Sequence, residues 1–141
     1  MRAKLEVNAF TDEGYKEVVT YGAWRVAMLN YIDELLSEKI DNFQAHLNTD
    51  EVFVLLEGRC ILYTAEVIDN RIQNIEGTDM VKGNVYNMKK GVYHTHTLSK
   101  DAKVLIVEND DTSLANSPKY MIDAHVNKQL VAIRDDLWKS T

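Results

Sequence analysis

The 141-residue sequence has little cysteine and little proline: Cys60 and Pro118 are the only residues of each type. One cysteine cannot form a disulfide within the chain. Because Cys60 lies in the apolar run LLEGRCILY, we interpret it as a small buried residue and not as a nucleophile. A chain of this length buries enough surface to fold without cross-links. We therefore predict a single domain that spans residues 1–141.

The sequence also lacks a basic stripe and a long apolar run. Its 16 basic residues are outnumbered by 22 acidic ones, which gives a formal net charge of −6, and lysine and arginine are not clustered. A phosphate backbone needs such clusters, so we exclude nucleic acid as a partner. No stretch of about 18 apolar residues occurs, and the N-terminus does not resemble a signal peptide. We expect a cytoplasmic protein with no membrane partner.

Short apolar or alternating runs separated by turn residues fill most of the chain, a pattern typical of an all-β sandwich or barrel. In two connections, 57–59 and 69–71, residues that tolerate a positive φ lie between β-branched and aromatic runs, and we predict a hairpin at each. The predicted strands are Lys4–Asn8, Ala23–Tyr31, Asn42–Leu47, Glu51–Glu57, Cys60–Ile68, Arg71–Ile75, Val85–Lys89, Tyr93–Thr97 and Lys103–Glu108.

One segment near the C-terminus has helical periodicity instead. Its apolar residues recur at spacings of four, four, three and four and form one stripe on a helix. These residues are Ile122, Val126, Leu130, Ile133 and Leu137. Asp123 is suited to cap the N-terminus, so we predict a helix over residues 124–138. The stripe must pack either on the outside of the barrel or on a partner subunit, and the pattern favours neither.

Three of the four histidines lie in two short segments, QAHLNTDEVFVLLEG and GVYHTHTL. Residues two apart in a strand face the same side, so Gln44 pairs with His46 and His94 pairs with His96. Two strands thus present imidazoles in one direction. His125 lies apart near the start of the helix, where a histidine is usually structural or exposed to solvent.

Glu51 begins the most apolar strand of the chain. If it points inward with Phe53, its burial costs several kcal/mol unless it is paired or binds a cation. A metal shared with His46 and His94 supplies that compensation. Two imidazoles and one carboxylate form the open arrangement of non-heme iron enzymes, and related sets bind manganese, nickel or zinc. The alternative is that Glu51 is a solvated residue at a strand edge.

The spacing of these residues resembles the first motif of the cupins. That motif reads His-x-His, three or four residues, Glu, six residues and Gly. Here it appears as Gln44-x-His46, four residues, Glu51, six residues and Gly58. Glutamine stands in place of the first histidine.

The second cupin motif reads Gly, five residues, Pro-x-Gly, two residues, His, three residues and Asn. This chain has Gly83, five residues, Lys89-x-Gly91, two residues and His94, with Leu98 at the last position. Lysine thus replaces the proline and leucine replaces the asparagine. The resemblance covers about residues 42–108 and includes both motifs in the expected order.

The resemblance implies a small single-domain bacterial cupin: a double-stranded β-helix, or jelly-roll barrel, with the helix at its C-terminal end. It implies one divalent metal ion, which is Zn, Fe, Mn or Ni, bound by His46, Glu51 and His94. Gln44 joins this set as a weak fourth ligand by its position in the motif. Cupins include sugar isomerases, dioxygenases, decarboxylases and non-catalytic binders, so the fold leaves the function open.

Two functions are compatible with such a site. In the first, the protein is a metal-dependent enzyme that acts on a sugar or keto acid, with His96 or a tyrosine such as Tyr63, Tyr86 or Tyr93 moving a proton. In the second, it binds a small ligand without catalysis, and the metal is an anchor or absent. A purely structural cluster would instead leave the site occluded. His96 lies outside the motif, and three roles are open for it. It supports a metal ligand through a hydrogen bond, it acts as an acid/base, or it replaces Gln44 as a ligand.

We expect two partners, a small molecule in the barrel pocket and a second copy of the chain. A small barrel of this kind with a separate apolar helix commonly covers its strand edges in a two-fold dimer. The sequence therefore predicts a homodimer.

Overall fold

The computed structural model describes residues 4–113 and 115–139. Most of these residues form antiparallel strands. The elements are β1 (Tyr15–Tyr21), β2 (Trp24–Asn30), two single-turn 3-10 helices (Asp33–Leu35 and Ser37–Lys39), β3 (Asn42–Gln44), β4 (Glu51–Glu57), β5 (Cys60–Ile68), β6 (Arg71–Asp79), β7 (Val85–Met88), β8 (Tyr93–Leu98), β9 (Lys103–Asn109), β10 (Lys119–Met121) and helix α1 (Ala124–Trp138).

Two five-stranded sheets build the fold. The first sheet has the order β1-β2-β9-β4-β7 and the second the order β10-β3-β8-β5-β6. Most neighbours within each sheet are distant in sequence, as in a jelly roll. Apolar side chains of both sheets, among them Phe53 and Ile106 from the first and Leu62 and Leu98 from the second, form one buried cluster. The sheets therefore face each other around a common interior, and the predicted all-β jelly-roll fold is confirmed.

Helix α1 packs on the outer face of the second sheet. Its first residue and its last are those predicted, and the carboxylate of Asp123 caps it by accepting a hydrogen bond from the Val126 amide at 2.9 Å. Leu130 is fully buried against Ile61 and Tyr63 of β5. The apolar stripe thus covers this chain's own barrel. Within the described residues, no helix has the length and apolarity that crossing a membrane requires.

Several predicted boundaries differ from the structure. Strand β1 and the three-residue β10 were not predicted, β3 ends at Gln44, and β6 continues to Asp79. The prediction of a strand over Lys4–Asn8 is wrong, because this segment pairs with no strand among the described residues. Its alternating side chains, Leu5 and Val7, lie in solvent with 79% and 84% of their surface exposed.

Of the two hairpins predicted at tight connections, the structure contains one. Asp69 and Asn70 have φ values of 52° and 59° and join the paired strands β5 and β6, so this hairpin is confirmed. Gly58 also has a positive φ, but β4 and β5 belong to different sheets, and the predicted hairpin at 57–59 is wrong. A Cβ at Gly58 would lie 2.6 Å from the Cα of Ala102. The turn passes the chain from one sheet to the other.

Candidate metal centre

The three residues predicted to bind a metal come together between the sheets. His46 follows β3, His94 is the second residue of β8, and Glu51 begins β4 in the opposite sheet. One potential ligand atom from each lies within 4.8 Å of those of the other two. The backbone also joins the two motif segments, because the Gly91 amide donates to the His46 carbonyl at 2.8 Å. The motifs therefore meet at one point of the barrel interior.

The distances within this group suit a single ion. Glu51 Oε1 lies 2.9 Å from His94 Nε2 and 3.4 Å from His46 Nε2. Two donor atoms that bind one ion at about 2.1 Å each lie about 3–4 Å apart. Two imidazole nitrogens and one carboxylate oxygen thus fit a divalent ion with positions left for other ligands.

Hydrogen bonds outside the group aim both imidazoles at it. His94 Nδ1 lies 2.9 Å from the Val92 carbonyl, which can only accept, so Nδ1 carries a proton and Nε2 faces Glu51. His46 Nδ1 lies 2.8 Å from the Ser117 hydroxyl, and that hydroxyl donates to Asn116 Oδ1 at 3.2 Å. The hydroxyl oxygen is therefore left to accept from Nδ1. Both histidines offer Nε2 to the same point.

Glu51 is ionised despite its burial. Only 6% of its surface is exposed, and burial by itself would raise the pKa of the carboxyl group. The hydrogen bonds with His46 and His94 outweigh burial and lower the pKa of Glu51 to about 2. In return, the hydrogen bond with Glu51 raises the pKa of His46. Glu51 is therefore an inward-facing anion, as the metal hypothesis requires.

Gln44 and His96 line the same pocket as the three metal-site residues. The Gln44 side-chain amide donates to the Ser117 carbonyl at 3.3 Å, so part of its hydrogen-bonding capacity is used by the protein. His96 Nδ1 is buried and has no hydrogen-bond partner among the described residues. Burial lowers the pKa of His96 to about 4, so its imidazole is neutral at pH 7. A neutral imidazole can accept a proton.

Tyr63 was predicted as a proton carrier, and the structure contradicts this. Its ring is fully buried beneath α1, on the face of β5 that points away from the pocket. Its hydroxyl lies 3.0 Å from Ser37 Oγ and donates to the Leu130 carbonyl at 2.9 Å. Tyr93 belongs to the same helix-facing cluster, and the Tyr86 hydroxyl accepts a hydrogen bond from the Val81 amide. None of the three lines the pocket with the metal-site residues.

Among the pocket residues that sequence reasoning missed are Tyr15, Arg25 and Glu108. Burial raises the pKa of Tyr15 to about 12. Arg25 Nη2 binds Glu108 Oε1 at 2.7 Å, and burial, followed by the negative charge of Glu51, raises the pKa of Glu108. A signal for Glu108 existed, because it lies on the same face of β9 as the buried Val104 and Ile106.

The two facing sheets form a jelly roll, and solved structures of cupin-fold proteins are similar to it. A cupin-2 domain containing protein from Shewanella frigidimarina is 19% identical, with a TM-score of 0.49 over 71% of this chain and 84% of that protein. At this TM-score and identity, the similarity carries no conclusion about fold or function. No family model and no curated protein matches the sequence.

Two enzymes have similar structures. Pac13, a nucleoside dehydratase from Streptomyces also solved with uridine, is 6% identical, with a TM-score of 0.56 over 83% of this chain and 87% of Pac13. WlaRA, a TDP-fucose-3,4-ketoisomerase from Campylobacter jejuni, is 18% identical, with a TM-score of 0.50 over 75% of this chain and 72% of WlaRA. These likenesses show the fold.

Proposed function

We propose that this protein binds one divalent metal ion through His46, Glu51 and His94 and uses it to hold a small polar metabolite in the barrel pocket. The observation that carries the proposal is the convergence of three donor atoms within 4.8 Å, one of them on a buried carboxylate. A buried anion without a cation is costly, and both imidazoles already present Nε2 to it. The donor set suits Zn, Fe, Mn or Ni.

The pocket suits a polar molecule the size of a sugar or keto acid. Its volume is about 890 Å³, within the range of small-molecule sites. Hydroxyl, amide and ammonium groups line it besides the metal-site residues, among them Thr112, Asn42 and Lys119. The structural neighbours that act on a nucleoside and on a nucleotide sugar are consistent with such a ligand.

A bound divalent ion would supply Lewis-acid polarisation of a substrate oxygen. The protein's own contribution is to orient the ligand and move a proton. His96 is the residue we assign to proton transfer, because its imidazole is neutral, lines the pocket and has an unpartnered Nδ1 within the described part of the chain. If His96 only positions the ligand, the same site is that of a non-catalytic binding protein.

Metal analysis of the untagged protein tests the proposal. After refolding with excess Fe, Mn, Ni and Zn, we expect one ion per wild-type chain and a sharp loss in Glu51→Gln, which keeps the shape of the side chain but removes its charge. Glu57→Gln is a matched control, because Glu57 ends the same strand in solvent. No metal in the wild type, or full occupancy in Glu51→Gln, would refute the metal centre and favour a binding protein that needs no metal.

A further inference from the structure

A second buried carboxylate lies directly opposite Glu51. Glu108 of β9 is the register partner of Glu51 of β4, and each has 6% of its surface exposed. Like charges directly opposite each other on neighbouring strands are destabilising. Such a pair in a barrel interior therefore requires a compensating positive charge.

Arg25 compensates only one side of this pair. Its Nη2 binds Glu108 Oε1 at 2.7 Å and also donates to Thr112 Oγ1 at 2.7 Å, while its Nη1 binds Glu17 Oε1 at 3.0 Å. The guanidinium thus binds Glu108 and the half-exposed Glu17, whereas no ion pair joins it to Glu51. When both imidazoles are neutral with Nε2 free, as metal ligands must be, this cluster has a surplus of negative charge.

The other oxygen of Glu108 is unpartnered. Glu108 Oε2 is buried and has no hydrogen-bond partner among the described residues. It lies 3.8 Å from His46 Nε2, the nitrogen that also approaches Glu51, and Glu108 lines the pocket. This distance is within the range for two donors of one ion, but Glu108 lies outside the group of three whose donor atoms are all within 4.8 Å of one another, so its carboxylate must turn toward the ion to bind it. A buried carboxylate oxygen without a partner is costly, and a cation beside His46 would remove that cost.

We propose that Glu108 is a fourth metal donor, with Oε2 supplying the ligand that the first motif lacks because Gln44 stands in place of a histidine. This inference rests on the proposed metal centre. Two imidazoles and two carboxylates form a harder, more anionic donor set than three imidazoles and one carboxylate. Carboxylate oxygens favour ions such as Mn²⁺, whereas imidazole suits Zn²⁺, Cu²⁺ and Ni²⁺. The site should therefore retain Mn²⁺ better than a site with three histidines would.

Metal titration of chelator-treated protein tests this donor. Free Mn²⁺ is followed by electron paramagnetic resonance, and Zn²⁺ competition gives the selectivity. Glu108→Gln should weaken Mn²⁺ binding at least about tenfold, the scale of losses at metal-site partners, and shift selectivity toward Zn²⁺. Glu17→Gln is the matched control, because it removes the other carboxylate on Arg25 at a half-exposed position and should leave Mn²⁺ binding unchanged. Glu108→Asp keeps the charge but shortens the side chain, and should also weaken Mn²⁺ binding if Glu108→Gln fails to fold.

The possible failures are distinguishable. If folded Glu108→Gln or Glu108→Asp binds Mn²⁺ with wild-type affinity and selectivity while Glu51→Gln does not, Glu108 is not a donor and the three-residue centre stands. If the wild type binds none of Mn²⁺, Zn²⁺, Fe²⁺ and Ni²⁺, both the centre and its fourth donor are refuted.

Discussion

His94 and Glu51 are in contact at 2.9 Å between Nε2 and Oε1, although they are 43 positions apart in the chain and lie in different sheets. The contact joins the two motif segments across the barrel interior. It places a nitrogen and an anionic oxygen where one ion can bind both. Metal binding should therefore depend on the sheets facing each other and not on either motif alone.

Alanine at His46 or His94 is expected to abolish stoichiometric metal binding, because each variant loses a nitrogen ligand. Gln44→Ala should keep its metal, since a neutral amide oxygen donates weakly and the Gln44 amide already binds the Ser117 carbonyl. Elemental analysis of the three purified variants beside the wild type measures this. Loss of metal in Gln44→Ala equal to that in His94→Ala would make Gln44 a true ligand.

Ser117→Ala is expected to weaken metal binding about 10–100-fold without changing the fold, because the hydroxyl holds the Nδ1 of His46. The Ser117 carbonyl, which accepts from Gln44, is retained in this variant. Ser113→Ala is the control: it also removes a pocket-lining hydroxyl, on an exposed residue. Titration with a chromophoric chelator as competitor gives the metal affinity of each variant. Equal affinities of Ser117→Ala and Ser113→Ala would show that the Ser117 hydroxyl does not support His46 as a ligand.

His96→Ala separates the three roles of this residue. We expect the variant to keep its metal and to lose ligand affinity or turnover, because we assign His96, which lines the pocket with an unpartnered Nδ1 within the described part of the chain, to proton transfer and not to the metal. Elemental analysis and ligand binding on the same sample measure the two effects. Loss of the metal would identify His96 as a ligand, whereas no change in either would leave it with a structural role.

Gly77→Ala should destabilise the protein by about 1–3 kcal/mol, the usual cost of overpacking. A Cβ at this position of β6 would clash with Ile133 Cγ2 of α1, so the Ile133 side chain or the helix must shift away from the sheet. Urea unfolding measures the change, with Thr78→Ala as the control at the adjacent exposed position. Metal content should be unaffected, because the contact lies on the outer face. Equal stability of the two variants would mean that α1 can shift without cost.

We propose that the protein is a homodimer that covers the outer face of the first sheet. Apolar residues on this face are half-buried or exposed, as in Val107 of β9, Trp24 of β2 and Val85 of β7, the last with 70% of its surface exposed. Light scattering at micromolar concentration should give twice the 16.2 kDa chain mass. The Val107→Glu variant should have half of this mass, because the charge disrupts the interface. The Ile68→Glu variant, which is changed in the other sheet, should keep the dimer mass. A wild-type mass of 16.2 kDa would refute the dimer.

Local sequence patterns were sufficient for several elements. The bounds of β4, β5 and α1 agree with the prediction because alternation, helical periodicity and a capping aspartate act over a few residues. The strand expected over Lys4–Asn8 has the same alternation as a real strand, but it lacks a neighbour among the described residues. Strand β10 is too short to show a pattern and exists by pairing with β3. Strand pairing is non-local, so alternation alone does not decide it.

The sequence by itself indicated that His46, Glu51 and His94 belong together, because their spacing resembles the two cupin motifs and a carboxylate at the start of an apolar strand calls for a cation. Only the tertiary structure decided which other residues share their pocket. Alternation says that neighbouring residues of β5 face opposite sides, but α1 makes both sides of that sheet apolar, so the sequence could not show that Tyr63 faces the helix. Likewise, Glu108 meets Glu51 only because β9 pairs with β4, a contact between strands far apart in the chain.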